Sequence, residues 1–278
     1  MKYLLLKLTE YFVNFTSKSY YLTEVARRVV QSYDNDGNAD MEKNGEKKLQ
    51  QLIASSSDAD SVFMDVGANV GDWSAALIGG GYAGRLVAVD PLSRNLAKVR
   101  EKLAALNYSN FELCECALTD RVEKLKFFVN KDPALSGHDS LFDMRTIGYK
   151  EGVDCIEVQS NTLDELAKQL SISKIDFLKI DVEGNELSVL KGAKSLLSSG
   201  KIDFIQIEFG HASRAAHIYL YDIVHFVNEY DYTIFVIKPT GYMPLDFSPF
   251  TENRYSYINF LLARNGVLSK LNGHILEK

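Results

Sequence analysis

Apolar positions recur at helical spacing over residues 1–33, and Asp34-Asn35-Asp36-Gly37-Asn38 then reads as a turn or exposed loop. A second helical stretch follows near 41–55. After Ser55-Ser56-Ser57 the rhythm changes: short apolar runs alternate with longer amphipathic segments, the pattern of a parallel sheet with crossover helices. The runs Ser61–Asp65, Arg85–Val89, Phe111–Cys116, Ile175–Ile180 and Asp203–Glu208 predict five parallel strands. Helices are expected at about 72–79, 92–106, 163–170, 184–198 and 214–229. Thr162-Leu163-Asp164-Glu165 fits a capping box, and Asp90-Pro91 sets an acid and a proline where a helix should start. Residues 122–160 read as additional β structure around a polar loop holding Lys131, Asp132, Pro133, Gly137, His138 and Asp139, placed to wall a substrate. Thr233–Ile237, Thr240-Gly241-Tyr242 and Tyr255–Ala263 predict a hairpin that closes the sheet in antiparallel fashion. The expected organisation is a helical extension over 1–58 and, over 59–278, an α/β Rossmann-like domain: a central, mostly parallel sheet with helices on both faces.

Composition narrows the function classes. The chain is 46% hydrophobic and 24% charged, which suits a sizeable core and not a membrane bundle. A net charge of −6 and the lack of long basic runs argue against nucleic acid as a partner. The start, Met1 to Glu10, looks briefly like a signal peptide, but Lys7 and Glu10 interrupt it, so it reads as an amphipathic helix. No run approaches the roughly 18 apolar residues of a spanning helix, which leaves peripheral membrane contact, or a homodimer built on the N-terminal helices, as roles for that segment. Cys114, Cys116 and Cys155 form neither a disulfide framework nor a metal-spaced pair, and a reducing, cytoplasmic setting is expected.

The sharpest motif is Val62-Phe63-Met64-Asp65-Val66-Gly67-Ala68-Asn69-Val70-Gly71-Asp72-Trp73, a strand running into two glycines four apart and then a helix. Gly67 permits a tight turn and close approach to a ligand, Gly71 permits close packing, and the exposed amides can receive a carboxylate. The loop departs from Gly-x-Gly-x-x-Gly, and Asp65 would repel a pyrophosphate, so a zwitterion suits it better than a dinucleotide. Asp90, nineteen residues after Gly71, ends the second strand where a carboxylate can accept from two ribose hydroxyls. Small and apolar residues after the third strand, Ala117 and Leu118, can flank an adenine. Together these strand ends describe S-adenosylmethionine.

The fourth strand runs Ile175-Asp176-Phe177-Leu178-Lys179-Ile180-Asp181-Val182-Glu183-Gly184-Asn185-Glu186 and ends in two carboxylates at the ligand-binding edge of the sheet. With Asp65–Gly71, Asn161-Thr162-Leu163-Asp164, Val189-Leu190-Lys191-Gly192-Ala193 and Ile207-Glu208, the chain resembles the FkbM-type S-adenosylmethionine-dependent methyltransferases over roughly residues 60–263. The resemblance implies a class I methyltransferase fold and O-methylation of sugars, glycans or polyketide-derived hydroxyls. Carried over by position, it sets Asp65, Gly67, Asn69, Gly71, Asp90 and Asp181 around the cofactor.

A neutral alcohol is a weak nucleophile, and a positioned base contributes about 10²–10⁴-fold. Asp181, Glu183, Glu208 and His211 are the candidates at this sheet edge, with Asp181 and His211 preferred. Glu183 also suits the first turn of a helix, where an acid complements the dipole without catalytic duty. A magnesium-like ion on Asp181 and Glu208 suits a diol acceptor, although no residues are assigned as metal ligands. The tyrosines Tyr219, Tyr221, Tyr230, Tyr232, Tyr242, Tyr255 and Tyr257 can stack on sugar faces or simply fill amphipathic packing. Two other readings stay open: a nicotinamide-dependent oxidoreductase, which the first glycine loop disfavours, and a non-catalytic binding module that keeps the fold.

Overall fold

A computed structural model describes residues 2–16, 19–149, 152–248 and 256–277. The chain begins with three helices, α1 (Lys2–Thr16), α2 (Tyr20–Asp34) and α3 (Glu46–Ser55). It then alternates β1 (Val62–Val66), α4 (Asp72–Gly79), β2 (Arg85–Val89), α5 (Ser93–Ala105) and β3 (Phe111–Cys114). A small three-stranded sheet follows, with β4 (Ala117–Leu118), β5 (Lys124–Asn130) and β6 (Val153–Asn161). The chain returns to the main sheet through α6 (Leu163–Gln169), β7 (Ile175–Ile180), α7 (Glu186–Lys191), α8 (Lys194–Ser198) and β8 (Ile202–Phe209). It continues with α9 (Ala212–Ala215), α10 (Leu220–Val227), β9 (Tyr232–Lys238), β10 (Gly241–Pro244) and β11 (Ile258–Arg264), and a 3₁₀ turn over Asn265–Leu271 follows.

The eight-stranded sheet runs β10-β9-β11-β8-β7-β1-β2-β3. Its five strands from β8 to β3 are parallel, as expected, and β9, β10 and β11 add the antiparallel edge. Both faces are covered, which is why β1 and most of β7 and β8 are buried without alternation. Strand periodicity divides the side chains between two cores. Met64, Leu178 and Ile205 pack under α6 to α8 and α10, while Phe63, Phe177 and Phe204, level with one another across three strands, pack on the opposite face. Trp73 stacks on Phe177 at 5.7 Å, and Tyr82 on Phe63 at 4.2 Å.

Several expected boundaries move. The third strand stops at Cys114, because the chain turns at Glu115 and Ala117-Leu118 leave to pair with β6 in the second sheet. The helix expected over 184–198 breaks at Gly192. A Cβ there would lie 2.1 Å from the Thr119 carbonyl, and the Asp164 carboxylate accepts from the Ser195 and Leu196 amides that open α8. The helix expected over 214–229 divides where His217 takes a left-handed conformation (φ 55°). Thr162 caps α6, its hydroxyl accepting from the Glu165 amide at 3.1 Å. The C-terminal strands are antiparallel as expected, but β11 inserts between β8 and β9; Tyr255 lies outside the described residues. The turn expected after Asp34 forms at Asn35–Gly37, but Asp34 and Asn35 are buried and do not belong to an exposed loop, since Asn35 Nδ2 donates to the Asn44 and Ile237 carbonyls.

The N-terminal stretch is heterogeneous. Leu49 and Ile53 of α3 belong to the core around Phe63, Trp73 and Leu77, whereas among the described side chains the large apolar ones of α1, from Leu8 to Phe15, and most of those of α2 are exposed. Among the described residues no helix is long and apolar enough to cross a membrane.

Candidate active site

Chain order reverses between β1 and β7, so the loops leaving β1 and β2 diverge from those leaving β7 and β8, and a crevice opens at their carboxyl ends. The cavity there measures about 360 Å³. The loop after β1 is shaped by its glycines. Gly67 has φ +79°, and a Cβ on it would fall 1.7 Å from the Asp181 carbonyl, so only glycine lets the ends of β1 and β7 approach this closely. Gly71, at φ +81°, lies against Val99 of α5, where a Cβ would come within 3.0 Å.

Asp90 fastens this loop. Its carboxylate accepts from the Asn69 amide (2.9 Å), the Leu92 amide (2.9 Å) and Asn95 Nδ2 (3.1 Å). Burial pushes its pKa up to about 6, against the opposing pull of those N–H donors. The Asn69 side-chain oxygen is buried beside the cavity with no hydrogen-bond partner. Across from it lie Cys116, Ala117 and Leu118, held in place because Asn185 Nδ2 donates to the Leu118 carbonyl at 2.8 Å. The residues thus offer a glycine turn, a carboxylate at the end of β2 and a small apolar wall, a chemical match to the amino-acid, ribose and adenine parts of S-adenosylmethionine.

The other end of the cavity is acidic. Asp181, Glu183 and Glu208 bring carboxylate oxygens within 4.8 Å of one another, an oxygen set of the kind hard divalent cations take. Beneath them, buried Lys179 lies 2.9 Å from Asp181 Oδ2 and 3.6 Å from Asp65 Oδ1. Burial works against its charge, but Asp181 and Asp65 outweigh it and hold the ammonium above its usual range. Burial raises Glu183 well above an ordinary glutamate, with Asp181 and Glu186 adding to it. Burial likewise raises Glu208, with Asp181 and Glu183 adding and the Tyr257 hydroxyl, donating to Oε2 at 2.7 Å, working the other way. Glu183 is itself in a left-handed conformation (φ 52°), one that a side chain with a Cβ adopts only when its surroundings impose it. The small sheet closes the cavity with Phe127, and the loop after it with His138, Asp139 and Leu141.

Of the cofactor and catalytic candidates named from the sequence, Gly67, Asn69, Asp90, Ala117, Leu118, Asp181, Glu183 and Glu208 line this cavity together. Three do not. Asp65 is fully buried under the loop, where it accepts from Ser74 Oγ at 2.6 Å and faces Lys179. Gly71 turns toward α5. His211 sits exposed where the chain leaves β8 for α9, in a separate pocket with Ile147, Tyr149 and Arg214, because the chain has turned away at Gly210. Lys179 is not among the candidates that the sequence motifs single out. Its signal is a lone lysine in an apolar strand, two residues before Asp181 and therefore on the same face.

The family model for the methyltransferase FkbM domain matches residues 65–234. The chain belongs to the FkbM methyltransferase family. It is an S-adenosylmethionine-dependent enzyme with the α/β class I arrangement of sheet and helices. A 2-O-methyltransferase, NoeI from Sinorhizobium fredii, is 26% identical over 174 residues, covering 59% of this chain and 69% of its own. Among solved structures, an rRNA methylase from Streptococcus thermophilus aligns at 14% identity and a TM-score of 0.45, over 80% of this chain and 97% of that one. The O-methyltransferase TomG from Streptomyces achromogenes, in complex with SAM, aligns at 12% and 0.42, over 79% and 80%.

Proposed function

We propose that this FkbM methyltransferase methylates a hydroxyl of a sugar, glycan or similar hydroxylated metabolite. The observation that carries the reading is that one cavity joins the glycine loop, Asp90 and the Ala117-Leu118 wall to the cluster Asp181, Glu183 and Glu208. Gly67, Asn69, Asp90, Ala117 and Leu118 would hold the cofactor, with Asp65 and Gly71 supporting its loop from behind. S-adenosylmethionine, when bound, supplies a methyl group already activated on a sulfonium, so the protein's share is to align and deprotonate the acceptor. Closely spaced carboxylates are acceptors only, and they recognise the neighbouring hydroxyls of a sugar by taking hydrogen bonds from them. Glu183 and Glu208, both raised by burial and by the neighbouring Asp181 carboxylate, are better matched to removing a hydroxyl proton near neutral pH than an ordinary carboxylate. Asp181, paired with Lys179, orients the acceptor, and Tyr257 fixes the rotamer of Glu208. His211 has no part in this scheme.

Calorimetry with S-adenosylhomocysteine and with NAD, followed by methyl transfer to glycan precursors, tests it. S-adenosylhomocysteine should bind and NAD should not. Glu208→Gln should lower turnover about 10²-fold or more while leaving S-adenosylhomocysteine affinity within about twofold. Unchanged turnover in both Glu208→Gln and Glu183→Gln would remove the carboxylates from the chemistry, and binding of NAD alone would overturn the whole reading.

A further inference from the structure

The N-terminal helices hold eleven of the seventeen large apolar side chains that the described residues leave exposed. Leu8, Tyr11, Phe12 and Phe15 follow one another at helical spacing on one face of α1, with Lys7, Glu10 and Asn14 on the other. On α2, Tyr21, Val25 and Val29 form a second stripe four residues apart, flanked by Arg27 and Arg28. Six of the exposed side chains are aromatic and each is more than half exposed. Rings of roughly 150–250 Å², each more than half exposed, together leave an apolar area of the order of, or above, the roughly 300–600 Å² of the largest apolar patch on a typical soluble monomer. An apolar area of this size is the mark of an interaction surface.

Charge decides between occupants. Residues 1–33 carry five basic side chains against two acidic ones, in a chain whose net charge is −6. A second copy would bring the same positive excess to the contact. An anionic bilayer surface is complementary to it, and tyrosine and phenylalanine beside lysine and arginine are what the headgroup boundary takes. Each helix is 15 residues, too short to span but long enough to lie in that boundary.

We propose that α1 and α2 form an interfacial pair of helices that binds anionic lipid and holds the cavity toward it. The chain just after α2 is bonded directly to the acceptor end of the site. The Asp36 carboxylate accepts from the Ser256 amide (2.8 Å) and the Tyr257 amide (2.7 Å), and the Gly37 amide donates to the Tyr257 carbonyl (2.8 Å). Tyr257 in turn donates to Glu208, and Ala39 lines the cavity. A hydroxyl acceptor carried on a lipid therefore meets the site from the side on which these helices rest. That last step rests on the function proposed above; the lipid contact itself does not.

The test is flotation of the full chain with vesicles of phosphatidylcholine, with and without phosphatidylglycerol, beside calorimetry with S-adenosylhomocysteine and light scattering for mass. Binding only to the vesicles containing phosphatidylglycerol, weakened by salt, is expected. Phe12→Glu/Phe15→Glu/Val29→Glu should reduce it at least about tenfold while S-adenosylhomocysteine still binds, which shows the variant folded. Absence of flotation, flotation indifferent to these substitutions, or a dimer that they split without any vesicle binding would each overturn the proposal. Loss of S-adenosylhomocysteine binding in the unmodified chain would instead strike the enzymatic reading and leave the flotation result standing.

Discussion

Replacing Lys179 with methionine tests the charge arrangement under the site. The side chain is 8% exposed and that of Asp65 is 0%, so the variant strands a carboxylate where water cannot reach it. Breaking a buried pair from one side costs about 3–5 kcal/mol. Protonation sets a ceiling on that cost. Holding an aspartate of ordinary pKa near 3.9 neutral at pH 7 costs about three pH units at 1.36 kcal/mol each, or about 4 kcal/mol. The sign follows from linkage. With the ammonium gone, the folded-state pKa of Asp65 rises further above its unfolded value, so the folded protein binds the extra proton and loses stability as pH climbs between the two. Because burial already raises Asp65 in the unmodified chain, the deficit should be at most about 4 kcal/mol at pH 7 and shrink to at most about 1.5 kcal/mol at pH 5. Urea denaturation at both pH values measures it, and Lys179→Met in an Asp65→Asn background should recover most of the loss. A deficit under about 1 kcal/mol that is flat with pH, or one of equal size with and without Asp65, would refute the argument.

Three further outcomes are expected. Gly67→Ala should cost at least about 2 kcal/mol in thermal unfolding, because the new Cβ overlaps the Asp181 carbonyl and the left-handed φ is lost to strain. Asp90→Asn puts an NH₂ group where three N–H donors converge, so S-adenosylhomocysteine affinity by calorimetry should fall about tenfold or more, some 1.4 kcal/mol. Glu186 is raised by burial to about 7 while accepting from the Val182 and Gly184 amides. Its stabilising share is present below the ordinary glutamate range and lost as pH rises through 7, so Glu186→Gln should be more stable than the unmodified chain at pH 8, by up to about 3 kcal/mol, and not at pH 4.

Much of the half of the cavity proposed for the cofactor was legible because it is local. A strand, two glycines four apart and a helix form one contiguous segment, and Asp90 marks the end of the next strand whatever the strand order. The family motif Lys179 to Glu186 likewise named Asp181 and Glu183 directly. Side-chain direction was less accessible. Asp65 precedes the loop and yet points beneath it, where Ser74 and Lys179 take it up, so proximity in sequence to a binding turn did not make it part of the wall. His211 misled in the same way, being three residues from Glu208 but beyond the turn at Gly210.

The sequence by itself determined the alternation of strands and helices, the glycine turn and the carboxylates at the strand ends, because each follows from the period of apolar residues or from the backbone freedom of single positions. Tertiary structure alone decided that Glu208 meets Tyr257, since that contact requires β11 to enter between β8 and β9. It alone set α3 against the core while leaving α1 and α2 uncovered. The physical reason is the range of the forces involved. Local conformation is fixed by neighbours along the chain, whereas strand order and the partner of a buried charge are fixed by which surfaces and fields remain to be satisfied once the sheet has closed.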